Sequence, residues 1–351
     1  MKPARWLLLA TLLGIVATSA CGSPIPTAAD NGVDVGIALA ADGRGDKGFN
    51  DLATGGLDRA RQRLGVDFSP SALPQRGDRR GERLNGLAED DLNPVIAVGD
   101  DYAADLADVA PRHSATTFAI VDSAEPRGGN VVNLVFAEEQ GSYLMGVAAA
   151  YKSVSDRVGF VGGSNDARTR RYQAGFAAGV MSVSPGTKVD VRFVTGTAAT
   201  TGESSPLGRN SPTAAREVTE QLLRDGANVV YSAAGSSGSG VFDALVSARA
   251  RGDRDVWAIG SDTDQHLVAT VAQQQVILTS MVKRVDNAVY GFVADYVDGG
   301  GSSGVRRFTL VDDGMSFATS GGYLTKFQLL DELQRVETDI TEGRITPPST
   351  V

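Results

Sequence analysis

Cysteine is almost missing from this 351-residue chain: Cys21 is the only one, and a lone cysteine excludes an internal disulfide. Histidine is nearly as scarce, with His113 and His266 alone. His113 follows Pro111 and reads as a surface residue at a helix end; His266 opens the segment after an Asp-rich loop. With so few histidines, and with no nucleophile-elbow signature around any serine, the usual acid, base and nucleophile of an enzyme are absent. The acidic cluster that metal-dependent nucleoside hydrolysis requires is also missing near the N-terminus. A binding protein without a cofactor is expected rather than an enzyme. Basic charge is in short supply too: 33 Lys and Arg stand against 42 Asp and Glu, a net of -9. Such a body excludes nucleic acid as a partner, because phosphate binding needs basic patches.

Long apolar runs are confined to one place. Residues 6–16 are nearly unbroken apolar sequence behind Lys2 and Arg5, and small residues lead from there to Cys21. The run is too short to span a bilayer comfortably and reads as the core of a signal peptide, residues 1–20. Cys21 directly after Ala17-Thr18-Ser19-Ala20 resembles a bacterial lipobox, although Thr18 stands where that pattern prefers Leu or Val. The expectation is thioether lipidation of Cys21, a tether over 21–32, and stable membrane anchoring through more than one acyl chain. Losing Lys2 and Arg5 with the leader would take the net charge from -9 to -11.

What is present beyond residue 32 is enough chain for two domains. Short β-rich runs at 33–40, 95–98, 118–121 and 131–136 alternate with helical patterns at 51–64, 101–110 and 141–152. Asn50 is a candidate cap for the first helix, and Gly65 a candidate stop. The alternation restarts with strands at 158–161, 189–194, 229–233 and 256–259 and helices at 168–181, 213–225 and 238–251. Strands at 277–282 and 307–311 flank a helix at 284–297. Alternation of this kind predicts parallel sheets with helices on both faces. Two such series predict two Rossmann-like α/β lobes with a cleft between them. The Gly-, Ser- and Thr-rich stretch 195–212 reads as a surface loop.

Ligands of open α/β sheets collect at the carboxyl ends of the strands, and four strand ends carry suitable residues. The loop Asp46-Lys47-Gly48-Phe49-Asn50-Asp51 offers an aromatic platform with polar neighbours, or alternatively a phosphate-type Gly loop or a Phe staple under a turn. Ala233-Ala234-Gly235-Ser236-Ser237-Gly238 lets a ligand approach the backbone, or is simply a tight turn with a Ser cap. Gly260-Ser261-Asp262-Thr263-Asp264 places a carboxylate for two adjacent hydroxyls, or a helix cap, or a calcium loop short of oxygen ligands. Lys283 directly follows an apolar strand, where a lysine is either simply solvated or paired with Asp262.

These elements occur in an order that resembles the basic membrane lipoprotein family, which includes the purine nucleoside receptor lipoproteins. The matching runs include Asp46-Lys47-Gly48-Phe49-Asn50-Asp51, Asn93-Pro94-Val95-Ile96-Ala97-Val98-Gly99, Phe118-Ala119-Ile120-Val121-Asp122, Gln173-Ala174-Gly175-Phe176 and Ser280-Met281-Val282-Lys283-Arg284-Val285-Asp286. The likeness runs from about Val35 to Tyr296. It implies a type I periplasmic-binding fold with a multi-crossing hinge, lobe 1 over 33–137 and 281–306, and lobe 2 over 138–280 and 307–351. It further implies a nucleoside ligand, delivered to an ABC permease and ATPase encoded elsewhere. Phe49 would stack on the base, with Tyr172 as the opposite wall. Asn50 and Asp122 would address the base edge or nearby waters, Gly235, Asp262 and Lys283 the ribose, and Asp46 belongs to the same ligand-binding set. Gly48 and Asp100 depart from the family pattern. A sensory lipoprotein, or a binder of another hydroxylated solute such as a pentose, would share these features.

Overall fold

The computed structural model describes residues 28–41, 43–71, 79–195 and 210–351. The expected leader, Cys21 and most of the 195–212 loop lie outside the described residues.

The chain runs β1 (Asp34–Ala38), α1 (Phe49–Leu64), β2 (Asp67–Pro70), α2 (Arg80–Glu89), β3 (Val95–Val98), α3 (Ala103–Val109), β4 (Phe118–Val121) and β5 (Val131–Phe136). It continues with α4 (Glu138–Lys152), β6 (Arg157–Gly162), α5 (Ala167–Val183), β7 (Lys188–Phe193), α6 (Pro212–Arg224), β8 (Val229–Ala233), α7 (Gly238–Ala250) and β9 (Trp257–Gly260). Two short helices, α8 (Gln265–Val268) and α9 (Val271–Gln274), lead to β10 (Ile277–Lys283) and α10 (Val285–Val297). The C-terminal part holds β11 (Gly304–Phe308), β12 (Met315–Phe317), α11 (Tyr323–Lys326) and α12 (Leu330–Thr341).

The strands form two six-stranded sheets, ordered β11-β5-β4-β3-β1-β2 and β12-β10-β9-β8-β6-β7. The pairing is parallel throughout, except that β12 runs antiparallel to β10. Burial explains the composition of the strands. The central strands β3 and β4 are covered on both faces, so VIAV and FAIV are buried at every position. The edge strands β2 and β11 are largely open and carry Asp67, Arg306 and Arg307. On the first sheet, Leu84, Leu87 and Leu106 of α2 and α3 pack on Val95, Ala97 and Ile120. Leu57, Val289 and Phe292 of α1 and α10 cover the other face. On the second sheet, Leu222 and Leu245 of α6 and α7 meet Val161 and Val230. Its other face holds Phe160, Phe176 and Tyr231, with ring centroids 5.0 to 6.1 Å apart. Each such fully buried aromatic contributes about 1.5–3 kcal/mol of hydrophobic stabilisation.

Helices α4 and α5 approach closely because glycines line their contact. A Cβ on Gly175 would lie 2.1 Å from the Glu139 carbonyl oxygen, and one on Gly179 2.1 Å from that of Tyr143. The Ala174-Gly175-Phe176 run therefore has a packing reason.

The chain passes between the sheets three times: from Phe136 into α4, from Lys283 into α10, and from Phe308 back to β12. Two boundaries expected from sequence, 280/281 and 306/307, fall inside strands. The whole of β10 belongs to the second sheet, where Ile277, Thr279 and Ser280 pair with β9; β11 pairs whole with β5. The last strand of the first sheet begins at Gly304, not at 307 as expected. The run Val311–Gly314 is instead a turn leading to β12.

Candidate functional site

The carboxyl ends of both sheets face one another across a cavity of about 630 Å³. Phe49, Asp100 and Asp122 line it from the first lobe; Arg168, Tyr172, Gly235, Asp262 and Lys283 line it from the second. Of the sequence candidates, Phe49, Asp122, Tyr172, Gly235, Asp262 and Lys283 are thus on the wall.

Asp46 and Asn50 are not. Asp46 accepts from the backbone N–H groups of Gly48, Asn50 and Asp51, at 2.8 to 3.1 Å. It satisfies the orphan donors at the start of α1 and favours its positive end. The expected cap, Asn50, is instead inside α1, whose N-cap is Gly48. Asn50 is buried and its Oδ1 accepts from the Ala40 N–H at 2.8 Å. That bond ties the helix start to the end of β1, while its Nδ2 is buried without a protein partner.

Asp122 and Asp262 occupy matching places one or two residues beyond β4 and β9. Both adopt left-handed backbone, with φ of 64° and 70°, a conformation that costs a non-glycine residue about 1 kcal/mol or more. The turn points each carboxylate at Lys283, the last residue of β10. Its Nζ lies 2.7 Å from Asp122 Oδ1 and 3.4 Å from both Asp262 Oδ1 and Glu138 Oε1. The Lys283 side chain is only 1% exposed. Burial alone would discharge this ammonium, but the three carboxylates outweigh it and hold the proton far more firmly than on an ordinary lysine. Burial likewise works against the charge on Asp262, and the Lys283 ammonium and the Tyr172 hydroxyl reverse it, leaving the carboxyl below its usual range. Burial keeps Tyr172 neutral, assisted by the Asp262 charge, so the phenol donates its hydrogen bond to Asp262 Oδ1. The Lys283 ammonium also lies 5.3 Å from the Tyr172 ring centroid.

Residues overlooked in sequence complete the charged network. Arg168, at the start of α5, reaches Asp122 Oδ2 at 3.1 Å, the Asp122 carbonyl at 3.0 Å and Asp100 Oδ2 at 2.7 Å. Arg171 donates to Glu138 Oε2 at 2.9 Å. Asp100 and Arg168 both follow strands of the sheets, so the rule that strand ends face the ligand was sufficient to find them. Neither histidine lines the cavity: His113 is half-buried and bonded to Asn85 at 2.8 Å, rather than a free surface residue, and His266 lies on α8. Among the described residues no group of three or more His, Cys, Asp or Glu is placed to hold a metal.

Two α/β lobes, three chain crossings and a polar cavity between the strand ends define a two-lobed periplasmic-binding-protein fold. The family model for PnrA-like ABC transporter substrate-binding proteins, Bmp, matches residues 34–349, and the chain belongs to that family. It is a substrate-binding protein of an ABC transport system, not an enzyme. It is 28% identical to the ABC transporter nucleoside-binding protein BmpA of Lactococcus lactis subsp. cremoris, over 89% of this chain and 88% of that protein. It is 30% identical to an uncharacterized lipoprotein of Pyrococcus abyssi, over 87% of this chain and 74% of that one. Among solved structures, an ABC solute-binding protein from Aeropyrum pernix K1 superposes with a TM-score of 0.66 at 26% identity, covering 90% of this chain and 92% of that one.

Proposed function

We propose that the chain captures a nucleoside, held on the extracytoplasmic face of the cell membrane by a lipid on Cys21, and presents it to an ABC permease. The observation that carries the ligand reading is the pairing of Phe49 and Tyr172, which line one cavity from opposite lobes. An aromatic from each lobe suits a planar base, and the Asp262–Lys283 pair offers both an acceptor and a donor to ribose hydroxyls. The name of the Lactococcus relative agrees with this reading. The lipoprotein relative supports the anchor, and among the described residues no helix is long and apolar enough to cross a membrane.

Isothermal titration of the ligand-stripped protein with adenosine, guanosine, inosine and free ribose tests the proposal. A nucleoside is expected to bind, with Phe49→Ala weakening it by about 10- to 100-fold, the range that one base–aromatic stack supplies. Binding of ribose with no gain from a base would discard the nucleoside and retain the transport role.

A further inference from the structure

Arg168 stands where local physics disfavours it. It is the second residue of α5, whose N-terminus already carries partial positive charge. Asp166 caps that end by accepting from the Thr169 N–H at 2.8 Å. A cation there gains nothing from its own helix. Its compensation lies on the other lobe: Asp100 follows β3, Asp122 follows β4, and the guanidinium meets both carboxylates and a carbonyl at 2.7 to 3.1 Å. The Arg168, Asp100 and Asp122 side chains are 21%, 20% and 13% exposed, so salt screens these bonds less than surface pairs.

The other interlobe contacts do not substitute for this one. Lys283 with Asp122 and Arg307 with Glu139 also pair across the lobes, but both stand at chain crossings, next to the hinge, and travel little when the lobes separate. Lys47 reaches the Leu267 carbonyl at 3.2 Å, a single exposed bond at the rim. Arg168 shares the Asp122 carboxylate with Lys283 but reaches beyond it to Asp100, and must break its bonds for the lobes to part.

We propose that Arg168, gripped by Asp100 and Asp122, is an interlobe clasp that holds the two lobes closed around the cavity without any ligand. The clasp rests on the two-lobe closure described above and not on the identity of the solute. It makes the unliganded protein a mostly closed population, and solute entry follows release of the clasp. Binding-induced closure is then a selection among states already present.

The test measures the interlobe distance in the full chain carrying Cys21→Ser, with spin labels at Arg63→Cys on α1 and Arg224→Cys on α6, both exposed positions. Ligand-free protein is expected to give one dominant distance. Arg168→Gln and Asp100→Asn should each raise the ratio of the alternative, open distance by about tenfold, equivalent to about 1.4 kcal/mol. Combining them should add little, since both remove one interaction. Asp100→Asn is isosteric and partly exposed, so it retains the fold even if Arg168→Gln does not. An unchanged distribution in Asp100→Asn, or a wild-type protein already open, would overturn the clasp. Inosine added afterwards addresses the nucleoside reading alone: failure to bind leaves the ligand-free distances unchanged, and the clasp stands or falls on those distances.

Discussion

Lys283 is the residue on which most of the site's electrostatics converge. It neutralises part of the charge of Asp122, Asp262 and Glu138 in a place where none can be solvated fully. Removing one partner of such a buried group strands the others. Lys283→Met is therefore expected to lower unfolding free energy by about 3–5 kcal/mol, measured by urea titration. Asp262 gives this cluster a pH dependence. Its folded-state carboxyl ionises below the ordinary value of 3.8, so its contribution is complete above about pH 4 and is lost as pH falls through the lower folded value. The melting temperature of Asp262→Asn should lie below wild type at neutral pH, and the gap should shrink below about pH 4. A gap that held constant into acid would show that Asp262 stabilises by packing rather than by charge. Residue identity alone disclosed only half of this network. Asp262 and Lys283 were legible because each closely follows an apolar run, and Phe49 because a phenylalanine flanked by polar and glycine residues is hard to explain as core. Arg171 lies inside the 168–181 helical pattern, where charged residues ordinarily face water, and Glu138 fell between the expected strand 131–136 and helix 141–152. Asp46 and Asn50 bond backbone rather than line the cavity, and a sequence cannot distinguish a side chain turned toward solute from one turned back to its own backbone.

At the scale of elements, hydrophobic runs identified most strands and helices of both lobes because the central strands are buried on both faces. Edges were harder. Strand β2 buries only Phe68, and β12 is three residues long, so neither leaves a periodic signature. Helices α2 and α12 have enough Arg, Glu and Asp to resemble connecting segments, yet Leu84 and Leu87, or Leu333, Val336 and Ile340, are buried at helical spacing. The chain crossings were displaced by a few residues because apolar composition cannot tell which of two sheets a strand joins. The α4–α5 contact offers a direct check on element packing. Gly175→Ala would place a methyl group on the Glu139 carbonyl, with backbone on both sides and no flexible end to yield. A loss of about 1–3 kcal/mol is expected, as for other overpacked contacts. Gly55→Ala, on α1 with open space at its Cβ position, should instead be neutral or slightly stabilising, as expected for a helix interior. Thermal unfolding of the two variants side by side separates a steric cause from a general glycine effect.

On the scale of the whole molecule, the charge of the body and the charge of the cavity act in the same direction. The chain carries a net charge of -9, and the cavity wall holds Asp100, Asp101, Asp122, Asp166 and Asp262 against Arg168 and Lys283. Both cations are already engaged by carboxylates within 3.4 Å or less. Among the described residues no comparable charge is left on the wall to receive a phosphate, and closure would bury that phosphate among acids. An anionic solute would also be repelled before reaching the cleft, since the field of an acidic body lowers its local concentration. An uncharged nucleoside meets none of these penalties, while its hydroxyls can exchange hydrogen bonds with Asp262 and Lys283. Inosine 5′-monophosphate is therefore expected to bind at least about 100-fold more weakly than inosine in parallel titrations, a difference of about 2.8 kcal/mol. Replacing Asp100 by Asn should narrow that gap, because it removes one wall charge and loosens Arg168 toward the phosphate at the same time. Equal affinity for nucleoside and nucleotide would mean that the phosphate remains outside the closed cavity, in water, and that the two lobes do not enclose the whole solute.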